Sequence, residues 1–93
     1  MKYEAILLEF LGTFIFLSTI VITGNPWMIG AVLAILIFFG LDISGGHFNP
    51  AVTIMTLFNN SVEQINAFWY IVAQLTGGIL AVSLHNYMTS PRS

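Results

Sequence analysis

The residues of this chain that could do chemistry lie in a polar segment, residues 44–60, between long apolar stretches. The segment starts with the sequence SGGHFNPA. Histidine, here His47, is a common metal ligand, and serine, here Ser44, is the nucleophile of many hydrolases. No Cys, Asp or Glu lies at ligand spacing around His47, and the other histidine, His85, lies in a different stretch. Ser44 lacks the strand-turn-helix elbow of a serine hydrolase. We therefore expect no metal, no cofactor and no enzymatic activity.

The Asn49-Pro50 pair predicts the start of a short helix. Asn49 suits the N-cap position and Pro50 the first helical position, so the Asn49 side-chain oxygen would accept from the N–H of Ala51 or Val52. The mostly apolar run 50–58 would be about 14 Å long as a helix, roughly half the hydrocarbon thickness of a bilayer. The asparagines that follow can end it, because Asn tolerates the left-handed conformation.

The composition excludes several classes of protein. Only 6% of the residues are charged, 57% are apolar, and the mean hydropathy is +0.90. Lys2 and Arg92 are the only basic residues, so no basic patch for nucleic acid can form. The chain has no cysteine and therefore no disulfide framework. We expect an integral, multi-pass membrane protein in a lipid bilayer.

Three apolar stretches are long enough to be candidate spans, at about residues 5–23, 27–43 and 65–88. A Gly-Asn-Pro turn at residues 24–26 separates the first two. Small residues at helical spacing, which let helices approach closely in lipid, occur in two of the stretches: Gly30 and Ala34, and Ala73, Gly77 and Ala81. Aromatic residues near the ends of the spans are expected as interface anchors: Trp27, Trp69, Tyr70 and Tyr87.

These patterns predict an all-α membrane protein of one domain, residues 1–93, with three transmembrane helices and a re-entrant loop and half-helix at about residues 44–58. Non-helical backbone at membrane depth is tolerated only where it is buried in protein or lines a wet cavity. The positive end of the half-helix dipole would point at mid-membrane, with the Asn49 amide donors on its tip. A neutral solute suits such a path, whereas a cation meets an electrostatic barrier.

Residues 44–53, SGGHFNPAVT, resemble the first Asn-Pro-Ala loop of the aquaporin, or major intrinsic protein, family. EFLGTF at residues 9–14 and AQLTGG at residues 73–78 are similar to the family's first-helix and third-helix signatures. The resemblance extends over nearly the whole chain and implies half of an aquaporin-like right-handed bundle. It also implies a passive channel for water, and for small neutral solutes such as glycerol.

The resemblance assigns roles to individual residues. It implies a pore lined by the loop and the start of the half-helix: Gly45, Gly46, His47, Asn49, Pro50 and Ala51. It makes Glu9 a buried carboxylate that holds loop N–H groups, with snorkelling to the interface as the alternative. Gln74 would bond the loop near Asn49 or, alternatively, pair with a neighbouring helix. The second-helix position of the selectivity filter falls on Ile29.

A complete channel of this family contains two inverted halves, and this sequence contains one. The second Asn-Pro-Ala and the filter Arg that follows it are absent, and Arg92 lies in the tail. Either the chain is a fragment of a longer channel, or two copies form an antiparallel homodimer with Val52 at both filter-Arg positions. Two further hypotheses remain: a small proton-coupled transporter that uses Glu9, and a non-conducting fragment or assembly subunit.

Overall fold

In a computed structural model the chain forms a bundle of four helices, and the structure describes residues 2–91. The helices are α1 (Tyr3–Thr23), α2 (Pro26–Gly40), α3 (Pro50–Phe58) and α4 (Gln64–Thr89). The predicted all-α class is confirmed, and the described residues contain no strand. α1 and α4, about 32 and 39 Å long at 1.5 Å per residue, are the two helices long and apolar enough to cross a membrane.

α2 is shorter than the span predicted for residues 27–43. Its regular helix ends at Gly40 and measures about 22 Å, against a hydrocarbon core of about 30 Å. The helix ends because the Gly40 carbonyl accepts from three amides, those of Ile43 (3.0 Å), Ser44 (2.9 Å) and Gly45 (3.2 Å), which tightens the chain into turns.

The turn between α1 and α2 forms as predicted. Gly24 is left-handed (φ 56°), and its N–H donates to the Ile20 carbonyl at 3.0 Å. Asn25 caps α2, because its Oδ1 accepts from the N–H groups of Trp27 and Met28 at 2.9 and 3.1 Å. α1 and α2 are therefore antiparallel neighbours.

α4 packs along α1 through small residues. Ala73, Gly77 and Ala81 are buried on this face, and a Cβ added to Gly77 would lie 2.7 Å from the Phe10 carbonyl oxygen of α1. The small residues of α2 meet no helix among the described residues: Gly30 has no neighbour within 4 Å of an added Cβ, and Ala34 is exposed, so close helix approach at this face stays a prediction.

The interior of the bundle contains many polar side chains, and its outer surface is largely apolar. Glu9, Thr13, Thr53 and Gln74 are at most 2% exposed, whereas large apolar side chains such as Phe58 (82%) face outward. A water-soluble protein would reverse this distribution, because exposed apolar surface of this extent is stable only in lipid or against a partner.

Two of the predicted interface aromatics are exposed, Trp27 at 84% and Tyr87 at 65%, and Trp69 is half-buried. The prediction for Tyr70 is wrong. Its side chain is only 2% exposed, because its hydroxyl turns inward to donate to the Ser44 carbonyl at 2.8 Å.

Candidate functional site

Phe48 holds the loop between α2 and α3 inside the bundle. Its ring is 1% exposed and lies between two glycines: a Cβ on Gly12 of α1 would overlap the ring, and one on Gly40 would lie 3.1 Å from its Cζ. Its φ of 53° is left-handed, which costs a non-glycine residue about 1–2 kcal/mol. The slot between the two glycines offsets that cost and fixes the position of the loop.

Two glycines before Phe48 also have left-handed backbone conformations, Gly45 at φ 92° and Gly46 at φ 65°. A Cβ on Gly46 would lie 3.2 Å from the Ile37 Cα, so the loop packs directly against the backbone of α2. Gly45 is exposed on the open side of the loop, whereas Gly46 is buried.

Glu9 connects α1 to the loop and to α4 through four hydrogen bonds. Its Oε1 accepts from Phe48 N–H (2.7 Å) and Gln74 Nε2 (2.8 Å). Its Oε2 accepts from Ser44 Oγ (2.7 Å) and His47 N–H (3.0 Å). The Glu9 side chain is 0% exposed and does not reach the surface, so the snorkelling alternative is wrong. All four partners are donors, which suits an ionised carboxylate because it only accepts.

Thr53 extends this network to the ring of His47. Gln74 Nε2 donates to Thr53 Oγ1 at 2.8 Å, and Thr53 Oγ1 lies 2.8 Å from His47 Nδ1. The ring of Tyr70 meets that of His47 edge to face, with 5.1 Å between centroids. Glu9, Gln74 and His47, which the sequence suggested separately, are therefore brought together in one buried cluster.

Sequence reasoning missed four residues of this site: Ser44, Phe48, Thr53 and Tyr70. Helical spacing could have found two of them. Tyr70 lies four residues before Gln74 on the same face of α4, and Thr53 lies one turn after the Asn49 cap. Nothing local in the sequence marks Phe48, since its slot is formed by residues distant in the chain.

The start of α3 is open to its surroundings. Asn49 Oδ1 accepts from Ala51 N–H at 2.8 Å, as predicted. This cap uses the side-chain oxygen and does not use the Nδ2 donors. Asn49 and Ala51 are exposed and Pro50 is half-buried. The tip of α3 therefore presents amide donors and the positive end of its dipole to an unfilled side of the bundle.

Two cavities adjoin the loop, on either side of its tip. One has a volume of about 1140 Å³ and includes Ser44, Gly45 and His47 in its wall. The other, about 470 Å³, lies between α1 and α4 and includes Asn49 and Pro50. Of the pore residues proposed from the sequence, Gly45 and His47 line the first cavity, here called the outer vestibule, and Asn49 and Pro50 line the second, here called the inner groove. Gly46 and Ala51 line neither.

Ile29 is half-buried in the first turn of α2, about 16 Å along the helix from Gly40, so the structure does not bring it next to the loop. Arg92 lies outside the described residues.

Three charged residues, Lys2, Asp42 and Glu63, line the vestibule. Over residues 2–91 there is no group of three or more His, Cys, Asp or Glu side chains that could hold a metal ion.

Comparison with known proteins identifies relatives over most of the chain. The family model described as Major intrinsic protein matches residues 18–93. The chain is 37% identical to the probable aquaporin PIP2-6 of Oryza sativa subsp. japonica, over 88% of this chain and 36% of that protein. It is 45% identical to the glycerol uptake facilitator protein-like 6 of Lactiplantibacillus plantarum, over 86% of this chain and 40% of that protein. No solved structure matches the chain.

Aquaporin PIP2-7 of Musa acuminata is 33% identical over 88% of this chain and 36% of its own length. The chain thus spans between about a third and two fifths of the length of these relatives. Their matched portion includes the loop and the start of α3, which contribute residues to the buried cluster and to both cavities.

Proposed function

The chain belongs to the major intrinsic protein family and is an integral membrane protein, and we propose that it forms one half of a passive channel for water and small neutral solutes such as glycerol. In this proposal residues 1–93 are a single half-domain. α1, α4 and α2 with its terminal turns cross the bilayer, and α3 is the re-entrant half-helix.

The observation that carries the proposal is the exposed tip of α3, which borders the groove at Asn49 and Pro50, while Gly45 and His47 just before it border the vestibule. A conduit through the bundle would join these two cavities past Asn49. The loop backbone can be non-helical at this depth because its other side is buried in protein. There it is held by Glu9, Phe48 and the backbone of α2.

The chemistry of the tip favours a neutral solute. The Ala51 N–H is used by the cap, so the Asn49 Nδ2 group is the donor of the tip that can bond to an oxygen of water or of a polyol. We propose that the carbonyls of Gly45, Gly46 and His47 accept on the way to it. The positive end of the α3 dipole opposes a cation at the same point. We propose Pro50 and Ala51 as wall residues and Ile29 as the filter position on α2.

The geometry at Glu9 disfavours a proton-coupled transporter. All four of its hydrogen bonds come from donors, and the carboxylate is 0% exposed. A carboxyl group that cycled its proton would need an acceptor and a path to water. Over residues 2–91 neither cavity has Glu9 in its wall, so the passive channel is the better supported function.

Vesicles that contain the purified chain should swell faster under an osmotic gradient than empty vesicles, with a rate that does not depend on a pH gradient. Asn49→Leu should reduce the permeability to the background, because Leu removes the amide donor and fills the tip. Swelling that requires a pH gradient would support the transporter instead, and no swelling at any gradient would support a non-conducting subunit.

The matched control is Asn59→Leu. Asn59 follows the C-terminal end of α3, is exposed, and lies about 14 Å from the tip along the helix. The same change of residue there should leave the permeability close to that of the unchanged chain. Equal losses in the two variants would contradict a role for the tip.

We propose that the second half of the pore is supplied by a second copy in the opposite orientation. The α3 tip of such a copy would face the groove beside Asn49 and complete its open side, so that two amides and two dipoles meet at mid-membrane beside the solute path. The basic residues do not favour either orientation, since Lys2 and Arg92 lie at opposite ends of the chain. Val52 would stand at both filter-Arg positions, which predicts a wide conduit.

Dual orientation is tested with a reporter fused to the C-terminus. Reporter activity is expected on both sides of the membrane in similar amounts. Adding three lysines to one terminus should fix the orientation and abolish conduction by the chain alone, while mixing oppositely fixed variants should restore it. Activity on only one side of the membrane for the unchanged chain would overturn the homodimer and assign the second half to other residues.

A further inference from the structure

The buried hydrogen bonds around Glu9 have a direction that can be followed from residue to residue. The Glu9 carboxylate accepts from Gln74 at 2.8 Å, so the Gln74 atom that faces it is the nitrogen, Nε2, and not the oxygen. A flipped Gln74 amide would place two acceptors against each other. The two hydrogens of Nε2 then go to Glu9 and to Thr53 Oγ1, which lies at 2.8 Å.

This fixes the role of the Thr53 hydroxyl. Thr53 is 0% exposed, and its Oγ1 accepts from Gln74, so its own hydrogen needs an acceptor within reach. His47 Nδ1 lies at 2.8 Å. Several other threonines of the helices, such as Thr56, donate to the carbonyl one turn earlier, at 2.7 Å in that case, whereas the buried hydroxyl of Thr13 has no hydrogen-bond partner among the described residues. Within residues 2–91, the hydrogen bonds of Thr53 go instead to Gln74 and His47.

We propose that Thr53 is a positioning residue that holds His47 as the neutral Nε2–H tautomer, so that the ring presents a fixed N–H donor to the solute path beside Gly45. If Thr53 donates to Nδ1, that nitrogen carries no hydrogen and the ring proton is on Nε2. The opposite arrangement, with Nδ1–H donating to Thr53, would leave the buried hydroxyl hydrogen without an acceptor.

The tautomer matters because His47 Nε2 lies near Gly45 in the wall of the vestibule. A Cβ on Gly45 would lie 3.2 Å from His47 Nε2, and both residues line the vestibule. The Tyr70 ring packs against the His47 ring in a T-shaped contact, with 5.1 Å between centroids. An oxygen of water or of a polyol that passes Gly45 would thus meet a donor from the ring beside the backbone acceptors of the loop. This last step rests on the proposed channel function, whereas the assignment of the tautomer does not.

The experiment is ¹⁵N NMR of the histidine-labelled chain in lipid vesicles, with His85→Asn to assign the two rings. In the unchanged chain we expect the His47 Nε2 to be protonated and its Nδ1 to be bare, with the shift of a nitrogen that accepts a hydrogen bond. Thr53→Ser keeps the hydroxyl and should keep this spectrum. Thr53→Val has nearly the same shape without the hydroxyl and should lose the shift of the bonded Nδ1.

A protonated Nδ1 in the unchanged chain would overturn the proposal, and this result does not depend on whether any variant folds. An unchanged Nδ1 signal in folded Thr53→Val would overturn it as well.

Osmotic swelling gives a separate measurement. We expect a several-fold loss of permeability in Thr53→Val and its restoration in Thr53→Ser. Equal permeability of the two variants, with the tautomer as proposed, would overturn the donor role alone. If the unchanged chain did not conduct at all, that result would instead count against the channel function.

Discussion

Replacing Glu9 by Gln should unfold the loop and abolish conduction. The Gln side chain has nearly the same shape, but its NH2 group would face two of the four donors that now bond to the carboxylate. Each charge-assisted hydrogen bond is worth about 1.5–3 kcal/mol, so we expect a loss of about 3 kcal/mol or more in the free energy of unfolding. The measurement is unfolding of the chain in detergent or lipid, followed together with osmotic swelling.

Glu4→Gln is the matched control for this prediction. Glu4 is also an acid of α1, but it is exposed in the first turn of the helix. Its replacement should change the free energy of unfolding by less than about 0.5 kcal/mol, as is usual for surface positions. If the two variants were equally stable, the four bonds to Glu9 would not support the loop.

Gly77→Ala should separate α1 from α4 and lower the stability of the bundle. The added Cβ would lie 2.7 Å from the Phe10 carbonyl oxygen and 3.2 Å from the Phe14 nitrogen, both of which belong to the backbone of a helix. Backbone atoms cannot rotate away as a side chain can, so the helices must move apart along the contact that also aligns Glu9 with Gln74. Overpacking of this kind costs about 1–3 kcal/mol.

The neighbouring glycine provides the control. A Cβ on Gly78 would meet only Leu17 Cδ1, at 2.7 Å, and the end of a leucine side chain can change rotamer. Gly78→Ala also gains helix propensity, about 1 kcal/mol relative to Gly. We therefore expect the stability to fall in Gly77→Ala and to stay the same or rise in Gly78→Ala. Equal effects would show that the helices do not approach closely at Gly77.

The two substitutions affect the same feature, the placement of polar groups inside a bundle without a conventional apolar core. The fully buried side chains include Glu9, Thr13, Thr53 and Gln74, and the helices meet through small residues. In lipid the apolar surface is solvated on the outside, so helix packing and internal hydrogen bonds must hold the bundle together. The loss of one hydrogen-bonding group therefore destabilises the loop and changes the shape of both cavities that adjoin it.

The sequence by itself determined the local structure. The composition required a membrane environment, the Gly-Asn-Pro turn separated α1 from α2, and Asn49-Pro50 started a helix that ends at Phe58. The left-handed asparagine expected after that helix is Asn60, with φ 59°. Each of these features depends on residues within one turn of each other, where capping, the fixed φ of proline and the freedom of glycine suffice.

Only the tertiary structure decided which residues meet. Phe48 finds its slot between Gly12 and Gly40, and Tyr70 turns inward to Ser44, although neither contact has a local signal in the sequence. Hydropathy extends the second span to residue 43, whereas α2 ends at Gly40, because three turn amides donate to the Gly40 carbonyl and hydropathy does not detect them. Contacts between distant residues depend on how the helices cross, and the crossing follows from packing across the whole bundle rather than from any single segment.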